Sequence, residues 1–117
     1  MKGYEGKISN IADTPFGYTL SLIGGKWKMV IMYCLIERGV VRYNELQRMI
    51  GTITYKTLST QLKELEADGI VTRTEYPQIP PKVEYSLSEN GKSLIPILEA
   101  MCEWGEKNAR SKGRKSS

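Results

Sequence analysis

The sequence predicts an α+β, mostly helical fold, a winged helix-turn-helix, and three observations carry that prediction. A strongly patterned helix spans residues 54–69, a second polar helical segment ends at Gly51 just ahead of it, and two alternating runs joined by a proline-rich loop follow at once. In the main helix Leu58, Leu62 and Leu65 recur at the spacing that lines one stripe, so one face packs and the other stays free. Thr54 can accept a hydrogen bond from the first-turn amides, and Gly69 supplies the left-handed residue that ends a helix without steric penalty. The free face carries Tyr55, Lys56, Ser59, Thr60 and Lys63, hydroxyls and amines with no acid until Glu64, a set suited to phosphates and base edges. Ile70–Tyr76 and Lys82–Leu87 read as paired strands, since β-branched and aromatic residues dominate and Val83, Tyr85 and Leu87 alternate with Glu84 and Ser86. The connection Pro77-Gln78-Ile79-Pro80-Pro81 lacks three backbone donors and cannot form a tight primed turn, so it is expected to project as a stiff wing.

The other elements follow in order. Residues 1–13 lack periodicity and read as a short flexible arm ahead of a domain over 14–106. Thr14-Pro15 is a good cap followed by a good first helical residue, and Phe16, Leu20 and Ile23 form a short apolar stripe that stops at Gly24-Gly25. Trp27, Val30, Ile31, Cys34 and Leu35 continue at helical spacing through Glu37 to a stop at Arg38-Gly39, and this segment is expected at the centre of the core. Val40-Val41-Arg42 is a short extended piece, a candidate third strand of the wing sheet. Asn44 and Gln47 match the reciprocal capping pattern that opens a helix through Leu46, Met49 and Ile50 to Gly51. Beyond Ser88, Leu94, Ile95, Ile97, Leu98, Met101, Cys102 and Trp104 make a stripe too wide for one contact surface on so small a domain, so part of it is expected to be buried by a second copy. Gly91 and Pro96 weaken or bend the first turns of that segment.

Composition bounds the function. A chain of 117 residues supports one domain, and 40% hydrophobic with 26% charged residues is the make-up of an ordinary globule. No apolar run approaches the length of a membrane span and the N-terminus has no signal-peptide core, so the cytoplasm is the expected compartment and no membrane partner is expected. The pI of about 9.1 is a weak pointer to nucleic acid. Lys107, Arg110, Lys112, Arg114 and Lys115 exceed the net charge of +4, leaving about −1 for residues 1–106, so the basicity sits in a tail, 107–117, that is expected to be disordered. The chain has no histidine, no cysteine pair at metal-ligand spacing, no phosphate-cradling glycine loop and no nucleophile motif, so neither an enzyme nor a cofactor is expected. Cys34 reads as a small buried hydrophobe, whereas Cys102 is left open: on a last helix that is a candidate for the dimer seam, facing thiols could meet, and a redox role is the alternative.

These blocks resemble a known family, the HxlR-type transcriptional regulators, relatives of the MarR-like winged helices. The likeness runs from about Pro15 to Gly105. It rests on Leu22-Ile23-Gly24-Gly25-Lys26-Trp27, on Arg42-Tyr43-Asn44-Glu45-Leu46, on Thr57-Leu58-Ser59 with Leu62 and Leu65-Glu66-Ala67-Asp68-Gly69, on Tyr76-Pro77 with Pro80-Pro81 and Val83-Glu84-Tyr85-Ser86-Leu87, and on Glu103-Trp104-Gly105. The resemblance implies a homodimer joined by its first and last helices, one winged helix per subunit, and repression or activation at a pseudo-palindromic operator. Two departures stand out. Many members carry a cysteine just before the first-helix proline, used in some as a thiol switch, where this chain has Thr14. Many open the reading helix with Ser-Pro, where this chain has Thr54-Tyr55.

The expected mechanism places the reading helix, 54–68, in the major groove and the wing, 71–87, on the flanking minor groove or backbone. Lys56, Thr57, Ser59, Thr60, Gln61 and Lys63 are the expected groove contacts, with Thr57 equally able to cap its own helix. Arg73, Gln78 and Lys82 belong to the wing, and Arg73 can instead pair with Glu75 or Glu84. Lys26, Lys28, Arg42 and Arg48 are candidates for phosphates, which position without specifying sequence. Trp27 and Trp104 are candidates for lining a cavity that takes a small apolar effector near the dimer seam, although aromatic residues at helical spacing are more often core. The competing function is a winged-helix protein-interaction module without specific DNA binding.

Overall fold

Leu58, Leu62 and Leu65 are all buried, and they dock the helix that bears them against the rest of the chain. The computed structural model describes residues 10–110. Along them run a 3-10 turn (Ile11–Asp13), α1 (Pro15–Ile23), α2 (Lys28–Arg38), β1 (Val41–Arg42), α3 (Tyr43–Ile50), α4 (Tyr55–Ala67), β2 (Val71–Tyr76), β3 (Lys82–Leu87), α5 (Glu89–Lys92) and α6 (Ile95–Arg110). The core is centred on α2, whose Ile31, Met32 and Leu35 are almost wholly buried with Val41, Leu46, the three leucines of α4 and Ile70. Each such side chain contributes roughly 1.5–3 kcal/mol by leaving water. Cys34 joins them, as its place on the α2 stripe predicts, and burial, then the charge of Glu37, pushes its thiol up from the ordinary range. No single described helix is long and apolar enough to cross a membrane.

The sheet is antiparallel with strand order β1-β3-β2. Val41 faces Tyr85 and Arg42 faces Glu84 on one side of β3, while β2 pairs from Val71 opposite Leu87 out to Tyr76 opposite Lys82. Val40-Val41-Arg42 thus does supply a third strand, starting one residue later than the sequence suggests. The two strands pack unequally: Val71, Tyr85 and Leu87 are buried and Val83 rests half-buried against the core, whereas residues 72–81 are exposed. Past Val83 the ribbon runs out into the exposed proline loop, whose Pro81 shares a cleft with Glu45 and Arg48 of α3.

α4 begins and ends where its caps predict. The Thr54 hydroxyl accepts the Thr57 amide at 3.1 Å, and Gly69 leaves the helix at φ 76°, a region open to glycine without a Cβ clash. The Asn44–Gln47 capping pattern is not used. Pairing of β1 draws Arg42 into extended backbone, so α3 starts directly at Tyr43 with Arg42 at the cap position and no side-chain cap hydrogen bond. Gln47 instead donates its amide to the Ile53 carbonyl at 3.0 Å and ties down the turn into α4.

At the N-terminal end, part of the predicted arm is structured: residues 11–13 form the 3-10 turn, while residues 1–9 lie outside the described residues. Thr14 is buried, its hydroxyl donating to the Ile11 carbonyl at 2.6 Å and accepting the Gly17 amide at 3.0 Å. The turn sits on Gly17 so closely that a Cβ there would lie 2.0 Å from the Ile11 oxygen. The apolar stripe read along α1 divides. Ile23 is buried, but Phe16 and Leu20 are exposed, because α1 and α2 are bent 72° at the Gly24–Gly25 break and α1 leans away from the core. Val30 of α2 is likewise exposed.

The C-terminal segment divides into two helices at Ser93-Leu94, with Gly91 inside α5 and Pro96 in the first turn of α6. Ser88 caps α5 by accepting the Gly91 amide at 2.9 Å, and a Cβ at Gly91 would lie 2.1 Å from the Ile70 oxygen. Leu98 anchors α6 in the core, while Ile97, Met101 and Trp104 are exposed. The predicted tail starts too early: α6 continues through Arg110, so residues 107–110 are helical, and 111–117 lie outside the described residues.

Candidate nucleic-acid interface

Burial of Leu58, Leu62 and Leu65 turns Lys56, Thr60 and Lys63 outward, all exposed and spaced i, i+4, i+7 along α4. No carboxylate interrupts that row. The residues beside it are less free than the sequence suggests. Thr57 is half-buried and accepts the Thr54 hydroxyl at 3.0 Å, so its own oxygen is engaged at the helix cap. Gln61 is half-buried on the flank.

Ser59 is held by a residue that sequence reading did not single out. The Tyr43 hydroxyl donates to the Tyr55 carbonyl at 2.8 Å and lies 2.9 Å from Ser59 Oγ, and the Tyr43 and Tyr55 rings stack with centroids 5.8 Å apart. A phenol has one proton. Since that proton goes to Tyr55, the Ser59 hydroxyl is the donor to Tyr43 and keeps only its lone pairs for a ligand. Ser59 therefore offers an acceptor to base amino groups, not a donor to phosphate. No local pattern advertises this brace, because its ends lie 12 and 16 residues apart in the chain.

Two open clefts border the wing, one of them shared with α4. One, of about 340 Å³, lies between α4 and the wing and is bounded by Ser59, Lys63, Glu66, Arg73 and Tyr85. The other, about 500 Å³, lies between the start of α3 and the wing, bounded by Arg42, Asn44, Arg48 and Lys82 with the Glu45 carboxylate among them. The wing cations are partnered within their own ribbon. Arg73 pairs with Glu75 at 3.2 Å, and its hydrogen bond to Tyr85, more than that to Glu75, holds the guanidinium above its ordinary pKa. Lys82 lies 3.3 Å from Glu84 and 4.8 Å from the centre of the Tyr76 ring, while the Tyr76 hydroxyl donates to Glu84 at 3.1 Å. Desolvation alone would raise the Glu84 carboxyl; the Lys82 and Tyr76 hydrogen bonds and the charges of Lys82 and Arg42 outweigh it and hold the group below its ordinary value.

The structure thus gathers Lys56, Thr57, Ser59, Thr60, Gln61, Lys63, Arg73, Lys82 and Arg42 around α4 and the two clefts, with Gln78 at the exposed wing tip. Lys26 bounds neither cleft: it sits in the turn between α1 and α2, 4.8 Å above the Trp27 ring. Lys28 is withdrawn altogether, its side chain nearly buried and paired with Glu64 of α4 at 2.7 Å. Tyr43, Tyr85 and Asn44, the last first read as a cap, are the additions that the structure makes.

The effector candidates are rearranged too. A shallow apolar groove of about 210 Å³ is lined by Met29, Val30, Tyr33, Leu98 and Met101, and neither Trp27 nor Trp104 belongs to it. Trp104 is exposed on α6 and Trp27 half-buried against the core. Thr14, where many HxlR-type proteins carry cysteine, is a buried and doubly hydrogen-bonded cap, so no thiol switch operates from that position.

Comparison with known proteins bears on this geometry directly. An HTH-type transcriptional regulator of Halalkalibacterium halodurans is 70% identical over 108 residues, 92% of this chain and 96% of that protein. The HTH-type transcriptional regulator YdzF of Bacillus subtilis is 57% identical over 93 residues, 80% of this chain and 85% of that one. Among solved structures, the redox regulator HypR in its reduced form superposes with a TM-score of 0.78 at 54% identity, covering 81% of this chain and 93% of that one. A MarR-family regulator from Porphyromonas gingivalis does so with 0.79 at 36% identity, over 88% and 99%. The profile of HxlR-like helix-turn-helix proteins matches residues 22–113, from the end of α1 through α6. With the α3–α4 pair, the three-stranded wing sheet and these relatives in agreement, the chain belongs to the HxlR-like helix-turn-helix family of transcriptional regulators.

Proposed function

We propose that this chain binds duplex DNA sequence-specifically as a homodimer on a pseudo-palindromic operator, with α4 in the major groove and the wing, 71–87, on the flanking minor groove or backbone. One observation carries the reading: Lys56, Thr60 and Lys63 form an exposed row on α4 without a carboxylate, Lys63 lining a cleft shared with Arg73 of the wing, while Arg42, Arg48 and Lys82 gather on a second cleft between α3 and the wing. Lys56, Thr60 and Lys63 reach the groove first, Ser59 and Gln61 read base edges as acceptor and amide, and Thr57 holds the helix start. Arg73, Lys82 and Arg42 meet phosphates by exchanging or sharing their carboxylate partners, with Gln78 at the wing tip and Lys26 at the periphery.

Dimerisation is supported by apolar surface that this chain leaves uncovered. Phe16, Tyr18 and Leu20 of α1 and Ile97, Met101 and Trp104 of α6 are all exposed, and large apolar side chains grouped on two helices suit a surface that a partner covers. A small apolar effector would enter at that seam, in the Met29–Met101 groove.

Selection of bound fragments from a genomic pool tests the reading as a whole. Half-sites should recur about one helical turn apart, roughly 34 Å between centres. On the selected DNA, Lys63→Ala should weaken binding and lower the salt slope by about one while leaving self-association intact. Recovery of no enriched sequence, with DNA ignored at low salt, would return the fold to the role of a protein-interaction module.

A further inference from the structure

The wing brings very little phosphate chemistry to its own tip. Its cations sit lower on the ribbon and are held there, Arg73 by Glu75 and Tyr85, Lys82 by Glu84 and the Tyr76 ring. Residues 77–81 carry no charge, three of the five are prolines without an amide proton, and the Gln78 amide is taken by the Tyr76 carbonyl at 2.9 Å. What the loop presents is Ile79, 99% exposed, the most exposed large hydrophobic side chain among the described residues. A lone surface isoleucine usually needs no explanation. This one stands at the exposed tip of the hairpin, between prolines that stiffen the backbone.

Its base is equally well held. Tyr76, the last residue of β2, donates to Glu84, Lys82 lies over the same ring, and Arg42 stands opposite Glu84 across the strand pair. The isoleucine is therefore presented on a braced stem, and little ordering is required when it meets a surface. With α4 occupying the major groove, the surface left for an uncharged aliphatic side chain on the wing is the flanking minor groove, where sugars and base edges are open to apolar side chains and deformable steps yield to them.

We propose, resting on the DNA-binding reading above, that Ile79 is an apolar probe seated in the minor groove flanking each half-site, so that the wing tip contributes affinity by desolvation and shape, beside the charged contacts of Arg73 and Lys82 lower on the ribbon. The preferred flank is one that opens easily, rich in pyrimidine–purine steps.

The test uses the full-length protein on DNA selected as described. Ile79→Ala should bind about tenfold more weakly, the loss expected for exposing one buried isoleucine, with the salt slope unchanged because no charge is removed. Hydroxyl-radical protection of the flanking minor groove should vanish while protection of the half-sites remains. Ile79→Arg should bind with a salt slope steeper by about one. An exposed position should tolerate both changes, checked by an unaltered melting curve. Binding of Ile79→Ala within about twofold of the parent, a lowered salt slope, or unchanged flanking protection would each overturn the proposal. So would a shift of the variant's self-association with DNA affinity unchanged, which would assign the tip to a second copy of the chain. If the parent protein itself selects no DNA, the failure belongs to the broader reading and not to Ile79.

Discussion

At the scale of single residues, the candidate interface is decided by which polar groups are already engaged. Seen in sequence, Ser59 and Lys63 are interchangeable members of a polar face, with Thr57 beside them able to cap its own helix; in the structure only Lys63 is unencumbered, because Ser59 donates to Tyr43 and the Thr57 oxygen accepts from Thr54. Tyr43→Phe keeps the stacked ring and deletes only the hydroxyl. Chemical denaturation should report a loss of about 1 kcal/mol, the usual net worth of such hydrogen bonds, and unchanged stability would dismiss the brace. Freed of Tyr43, Ser59 regains a donor, so the variant's operator preference should shift where that side chain meets a base. The α4 row itself was legible from the spacing of three leucines. Its bonding was not, because the partner lies one helix away.

At the scale of elements, each helix or strand does what its period and ends dictate, and departures occur where a neighbour competes. α4 is capped as its ends predict, whereas α3 gives up its Asn44–Gln47 pattern because β1 pairs with β3 and moves the helix start. The wing is held by the Tyr76–Lys82–Glu84 clasp, and its pH dependence has a definite sign. Glu84 titrates below its ordinary value in the folded chain, so the clasp's contribution is complete above the unfolded-state value of about 4.5 and is lost as the pH falls through the folded one. Carboxyl chemical shifts should place the Glu84 midpoint below 4.5, and Glu84→Gln should abolish the acid-induced loosening of residues 76–82. A midpoint at or above 4.5 would remove the clasp from the account.

At the scale of the whole molecule, one domain presents a polar row with a braced wing and leaves apolar surface on its first and last helices. Trp104→Glu places a charge on that surface at a position 69% exposed in the single chain. If α6 meets a second copy, sedimentation should show self-association weakened by well over tenfold, since an unpaired charge would be buried at the seam, and DNA affinity should fall with it. A variant that self-associates as tightly as the parent would move the interface elsewhere. The sequence alone determined the order of elements, the reading-helix face and the proline wing, because hydrophobic period, caps and missing amide protons are local properties. Tertiary structure alone decided that Lys28 is paired with Glu64, that Phe16 and Leu20 face away from the core, that α6 runs on through Arg110 and that Tyr43 braces Ser59. Those outcomes depend on which distant segment packs alongside, and a periodicity along the chain carries no record of the neighbour that will share its face.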